Sequence, residues 1–217
     1  MRILLPFVLV LLLASCGEAE HEKAGDSLAD TTAASASAFE KVNAAAVEIA
    51  VPFLVHTDSF AAYEGFALDE SNANKLFPPG FDYRLYKKVE CIGRSKVRQI
   101  SVLWYELKST PEYDGSPDAT DILMVLYDCN GEPIDVYSAA TADAGYRIYS
   151  YVRNDSVFSV DISGQDDKEV LTTAIAITES GFMPAPSQSK TFHSDKTGTS
   201  EMQSYTQQYI DAHRSQR

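Results

Sequence analysis

The sequence predicts a mainly β, α+β fold: one antiparallel β-meander of about seven strands, forming a curved sheet or partial barrel, with a short helix at each end. Three observations predict it. From residue 82 onward, apolar and polar residues alternate in short runs with the period of a half-buried strand. The runs are separated by brief turn-rich links such as Asn130-Gly131, Asp143-Ala144-Gly145 and Asn154-Asp155, and links this short join only antiparallel neighbours. Twelve tyrosines and ten phenylalanines favour sheet over a helix bundle.

Taken in order, the chain opens with an apolar core from Ile3 to Leu13 behind Arg2, followed by small Ala14 and Ser15. A span needs about 20 apolar residues, so residues 1–15 read as a signal peptide rather than a membrane helix. Residues 17–38 are small, polar and acidic, and cannot bury enough apolar surface to order themselves. With Cys16 they read as a flexible tether, residues 16–38. The β-rich domain is expected over 39–183. Ser37 and Glu40 have capping-box spacing, and Phe39, Val42, Ala46 and Ile49 recur at helical intervals, predicting a helix to about residue 48. Val51–Val55 reads as a strand or extended anchor covering the sheet. Asp69 caps a brief helix that stops before Pro78-Pro79.

The expected strands are Tyr83–Val89, Val97–Lys108, Ile122–Tyr127, Ile134–Ser138, Tyr146–Val152, Val157–Ser163 and Leu171–Thr178, with the first turn at Gly93 and a longer link at Thr110–Thr120. Ile122–Leu126 and much of Val97–Lys108 around Trp104 are apolar on both faces, which marks them as central, doubly covered strands. Residues 184–217 read as a polar tail in which Met202, Tyr205, Tyr209 and Ala212 predict a short helix.

Leu13-Ala14-Ser15-Cys16 resembles the lipobox of bacterial lipoproteins. The resemblance implies diacylglyceryl transfer to the Cys16 thiol and cleavage before it, giving a cell-envelope protein with a covalent lipid as membrane anchor and no other cofactor. Two or three acyl chains hold durably where one holds only marginally. Gly17, not an acidic residue, follows Cys16, which fits the outer membrane. Glu18, Glu20 and Glu22 form a weak version of the acidic run that accompanies surface export in some bacteria, or a solvated tether. Further along, PFLVHTDSF, LMVLYDCNGEPIDVYS, AGYRIYSYV and ITESGFM resemble, over residues 51–183, small uncharacterised β-meander lipoproteins of diderm bacteria. That likeness brings no catalytic residues with it.

The net charge of −13 disfavours nucleic acid and anionic headgroups, and makes a basic protein the electrostatic complement. No catalytic residues stand out. Ser163-Gly164 with Asp161 lacks the glycines of a nucleophile elbow. His21, His56, His193 and His213 share no metal-ligand spacing, and Asp69, Ser71, Asn72 and Asn74 miss the glycine and glutamate of a calcium loop. Cys91 and Cys129 are an even pair in an oxidising compartment, which favours a disulfide. Register disfavours it, because the two would flank one strand about 10 Å apart where a bond needs under about 7 Å.

The one surface that draws notice is Arg147, Tyr149, Tyr151 and Arg153, four residues on one face of a strand. Aromatics beside guanidinium groups suit a glycan, a peptide or an acidic protein edge; the same pattern also makes an ordinary cross-strand ladder. The functional expectation is a non-enzymatic binding or scaffolding module with a protein or glycan partner. The alternatives are a periplasmic immunity or inhibitor protein against a basic toxin or hydrolase, and an envelope hydrolase with a dispersed site.

Overall fold

The computed structural model describes residues 38–109, 119–143 and 145–215; Cys16, the leader before it and the tether through residue 37 lie outside the described residues. Eleven strands make one antiparallel sheet: β1 (Phe53–Val55), β2 (Phe66–Ala67), β3 (Tyr86–Val97), β4 (Ile100–Ser109), β5 (Thr120–Tyr127), β6 (Pro133–Asp143), β7 (Tyr146–Val152), β8 (Ser156–Ser163), β9 (Asp167–Thr178), β10 (Gly181–Pro184) and β11 (Gln188–His193). From β2 to β10 every strand lies beside its chain neighbours, a meander, while β1 joins β7 and β11 joins β9. Three helices pack on it: α1 (38–45), α2 (Glu70–Leu76) and α3 (Lys196–Arg214). No helix among the described residues is long and apolar enough to cross a membrane.

The sheet is not flat. β6 and β10 are four places apart, about 19 Å in a flat sheet at about 4.8 Å per strand. Yet the Phe182 N–H donates to the Asp135 carboxylate at 2.8 Å, and the Phe182 and Tyr137 ring centroids are 5.3 Å apart. The curl is made where β6 and β7 share only three residue pairs, Thr141–Asp143 against Tyr146–Ile148. Beyond them β1 takes the place of β6 beside Ser150–Val152.

Three apolar clusters follow from that shape. Trp104, Met124 and Leu126 gather with Val152, Val157, Ile175 and Ile177, and with Val55 and Phe60 from the first strand and its turn. Across β4 and β5, Leu103, Tyr105, Leu123 and Tyr127 are covered by Phe39 and Val42 of α1 and Leu76 of α2. On the outer side of β7–β9, Tyr151, Phe158 and Val160, together with Phe192 of β11, pack with Ile210, Tyr205 and Tyr209 of α3. The buried indole and phenol groups of β4 and β5 are paired. The Trp104 Nε1–H donates to Ser95 Oγ at 2.9 Å. Tyr127 donates to the Leu76 carbonyl at 2.6 Å, capping the end of α2, which leaves Tyr105 to donate to Tyr127 at 2.8 Å.

Asp69 caps α2 as the sequence predicts, accepting from the Asn72 N–H at 2.7 Å. Other expectations are corrected. Eleven strands replace about seven, because the sequence hides strands as short as Phe66–Ala67 and as polar as Gln188–His193. Tyr83–Leu85 is a 3-10 turn, and β3 continues past a bulge at Ile92 and through Gly93 to Val97. Gly93 does not turn the chain; it lies under Ile49, where a Cβ would collide with that side chain. The hairpin turns instead at Arg98-Gln99. That shift separates the cysteines: Cys91 pairs with Tyr105, which pairs with Leu123, and Cys129 lies six positions beyond Leu123, about 20 Å along the sheet. The two are not bonded; Cys91 is buried, with burial pushing its thiol up to about 12, and Cys129 is exposed. The polar tail expected from residue 184 is part of the fold, because β11 pairs along six residues of β9 and carries α3 back over the sheet.

Candidate binding site: an arginine cleft at the end of β7

β7 keeps Arg147, Tyr149, Tyr151 and Arg153 on one side, but α3 crosses that side. Tyr151 is buried, with the Arg214 guanidinium 5.7 Å from its ring centre. Tyr149 is half-buried, facing Thr206 of α3 and packed 5.1 Å from the His56 ring. The two arginines emerge at opposite ends of the covered strand, about 20 Å apart. Arg147 borders a hollow of about 380 Å³ with His56, Asp58 and Ala142. Arg153 opens onto a larger one.

Arg153 leaves β7 into the two-residue turn before β8, where its N–H donates to the Ser156 carbonyl at 2.8 Å. Two further arginines meet it there from distant parts of the chain. Arg98 comes from the β3–β4 turn, and Arg214 from the last turn of α3. With Pro52, Tyr151, Asn154 and Asp155 they line a cleft of about 540 Å³, within the range of roughly 300–1,000 Å³ typical of small-molecule sites.

Arg98 has φ +57, the only left-handed non-glycine residue among the described residues. It occupies the position where such hairpin turns favour glycine. Holding an arginine there costs roughly 1 kcal/mol, and cost of this kind gathers at functional positions.

The charges around the cleft are only loosely compensated. Arg98 Nη2 is 3.7 Å from Asp155 Oδ2, and Arg214 Nη1 is 3.7 Å from Asp211 Oδ1. Charge-assisted hydrogen bonds run nearer 2.7–2.9 Å. Arg153 makes no ion pair among the described residues and lies 6.0 Å over the Phe158 ring. Beside it, His213 stacks on Phe158 with centroids 3.8 Å apart and rings 11° from parallel, and meets Tyr209 edge-on at 4.8 Å. Its Nδ1 is buried with no partner, and burial, then the charge of Arg153, holds its pKa below the ordinary value. His56 is held down too, by burial first and then by Arg147 and Arg214, against the opposing pull of Asp58.

The other sequence candidates stay dispersed. Asp161 accepts from Ser159 Oγ at 2.6 Å inside the curl, and burial raises its pKa. Its neighbour Gly164 sits at φ +99 in the β8–β9 turn, where a Cβ would strike the Asp167 carbonyl. His193 pairs with Asp167 at 3.0 Å, exposed on β11. No group of metal-ligating side chains occurs among the described residues.

Sequence reasoning reached Tyr151 and Arg153 but missed Arg98 and Arg214. Arg98 was hidden by placing the turn at Gly93; Val97-Arg98-Gln99-Ile100, two apolar residues about a polar pair, was the available signal. Arg214 had none, since nothing local says where the end of α3 lands. No protein-family model, curated protein or solved structure matches this chain.

Proposed function

We propose that this chain is a lipoprotein of the bacterial cell envelope, moored at the outer membrane through acylated Cys16, and that its folded domain is a non-enzymatic binding module for an anionic ligand. The anchor reading rests on the LLLASC stretch and the acidic tether behind it. The binding reading rests on one observation: three guanidinium groups, from positions 98, 153 and 214, converge on one cleft of a chain whose net charge is −13. Three like charges gathered at one cleft repel one another, and a bound anion relieves that repulsion. The cleft carries Tyr151 as a buried aromatic wall and Asn154 as a further polar group.

The test is a titration of the full chain in detergent with fluorescein-labelled dextran sulfate and with neutral dextran. Dextran sulfate is expected to bind, more weakly as salt rises, and binding is expected to vanish in an Arg98→Ala/Arg153→Ala double variant. Equal binding of neutral dextran, or sulfate binding unchanged in the variant, would remove the anion reading. For the anchor, Cys16→Ser is expected to release the protein from the membrane fraction, and mass spectrometry of the parent is expected to find a fatty adduct on Cys16. Identical partitioning of variant and parent would refute it.

A further inference from the structure

We infer that the cleft takes a phosphate monoester carried on a sugar-sized body; this deepens the anionic-ligand reading and rests on it. Among the residues lining the cleft, Arg98, Arg153 and Arg214 face a single carboxylate, Asp155. A carboxylate ligand brings one negative charge and two oxygens. It would repeat what Asp155 and Asp211 already offer at 3.7 Å and would leave one guanidinium fork unfilled. A phosphate monoester brings close to two charges and three acceptor oxygens, one for each arginine.

The cleft also exceeds what an inorganic ion fills: at about 540 Å³ it has room for a ring beside the phosphate, against Pro52 and the edge of Tyr151. Asn154 is exposed at the rim, where its amide can meet a hydroxyl of that ring. Two sources share this chemistry, a soluble sugar phosphate and a phosphorylated lipid headgroup.

The experiment is calorimetric titration of the full chain with glucose 6-phosphate, inorganic phosphate and glucuronate at one ionic strength, together with co-sedimentation of the Cys16→Ser variant, which lacks the proposed lipid anchor, on phosphatidylcholine vesicles with and without phosphatidic acid. Glucose 6-phosphate is expected to bind at least tenfold tighter than glucuronate and tighter than inorganic phosphate. Arg153→Ala is expected to weaken it at least tenfold, and Arg153→Lys to restore part of the loss. Sedimentation that depends on both phosphatidic acid and Arg153 assigns the headgroup as source; sugar-phosphate binding without it assigns the soluble one. If glucuronate binds as tightly as glucose 6-phosphate, the phosphate inference falls while the anionic-ligand reading stands. If no probe binds, dextran sulfate included, or if Arg98→Ala and Arg153→Ala both leave binding unchanged, the two fall together.

Discussion

The two helix-covered faces of this sheet are built from different materials. Over β4 and β5, α1 and α2 present Phe39, Val42 and Leu76, and each hydroxyl beneath them is paired, as in the chain from Tyr105 through Tyr127 to the Leu76 carbonyl. Over β7–β9, α3 meets the sheet through Tyr205, Tyr209, His213 and Arg214, and leaves Tyr209 Oη, His213 Nδ1 and Thr172 Oγ1 buried without partners. Dry, satisfied packing carries stability and gives a ligand nothing to hold. A cover with unmet polar groups and guanidinium edges is weaker, and it carries the Arg214 charge that borders the cleft. The comparison teaches that stability and binding are segregated onto different faces of one sheet.

That segregation can be broken most forcefully at Trp104, which is fully buried in the curl. Trp104→Ala should cost about 3–5 kcal/mol, read as a fall in the urea midpoint, while the affinity of the remaining folded protein for dextran sulfate stays put. Next comes Tyr127→Phe. It removes the donor to the Leu76 carbonyl and the acceptor for Tyr105, so two buried groups lose partners and stability should drop by about 1–3 kcal/mol. Again, binding should not change.

Smaller is a pH effect that includes the α3 face. His56 and His213 have folded pKa values below the ordinary 6.5, chiefly from burial, so the unfolded chain takes up protons first. Their contribution is complete above pH 6.5 and is lost as pH falls below it toward their folded values. His193, raised by its hydrogen bond to Asp167, has the opposite sign: its contribution is present in acid and lost as pH rises through its folded value. Asp161, raised by burial, also gains stability as pH falls. Comparing the parent with His213→Phe therefore isolates the α3 component. The urea midpoint of the parent should decline more between pH 7.5 and 5.5 than that of the variant; parallel declines would show that α3 is not held by a neutral imidazole. The smallest stability effect belongs to Arg214→Ala, since its pairing with Asp211 is exposed and such pairs contribute about 0–1 kcal/mol. It should nonetheless weaken anion binding, which sharpens the contrast between the faces.

How much of this was legible in the sequence follows the same division. The central strands announced themselves, because Ile122–Leu126 is apolar at every position and only a doubly covered strand tolerates that. Tyr146–Val152 was legible to the residue, since alternation and a flanking Gly145 bound it at one end and Asn154-Asp155 at the other. β11 was not, because Gln188–His193 buries only Phe192 and is a strand by virtue of β9 beside it rather than its own pattern. The C-terminal helix was legible in the spacing of Met202, Tyr205, Tyr209 and Ala212; it runs over Lys196–Arg214, capped by Asp195, whose carboxylate accepts from the Gly198 N–H at 2.7 Å. Half the cleft was legible for a related reason. Tyr151 and Arg153 share a strand, so period-two spacing reveals them; Arg98 and Arg214 reach them only through a turn and a helix end, and tertiary convergence of that kind leaves no periodic trace.

The claim that binding lives on the charged face is tested most directly by the affinity of Arg153→Ala for dextran sulfate at fixed ionic strength, measured beside its urea midpoint. At least a tenfold loss of affinity with the midpoint unmoved is the predicted result, the loss expected when one charged donor is withdrawn. Full affinity in that variant, or a loss of affinity only in step with a loss of stability, would contradict it.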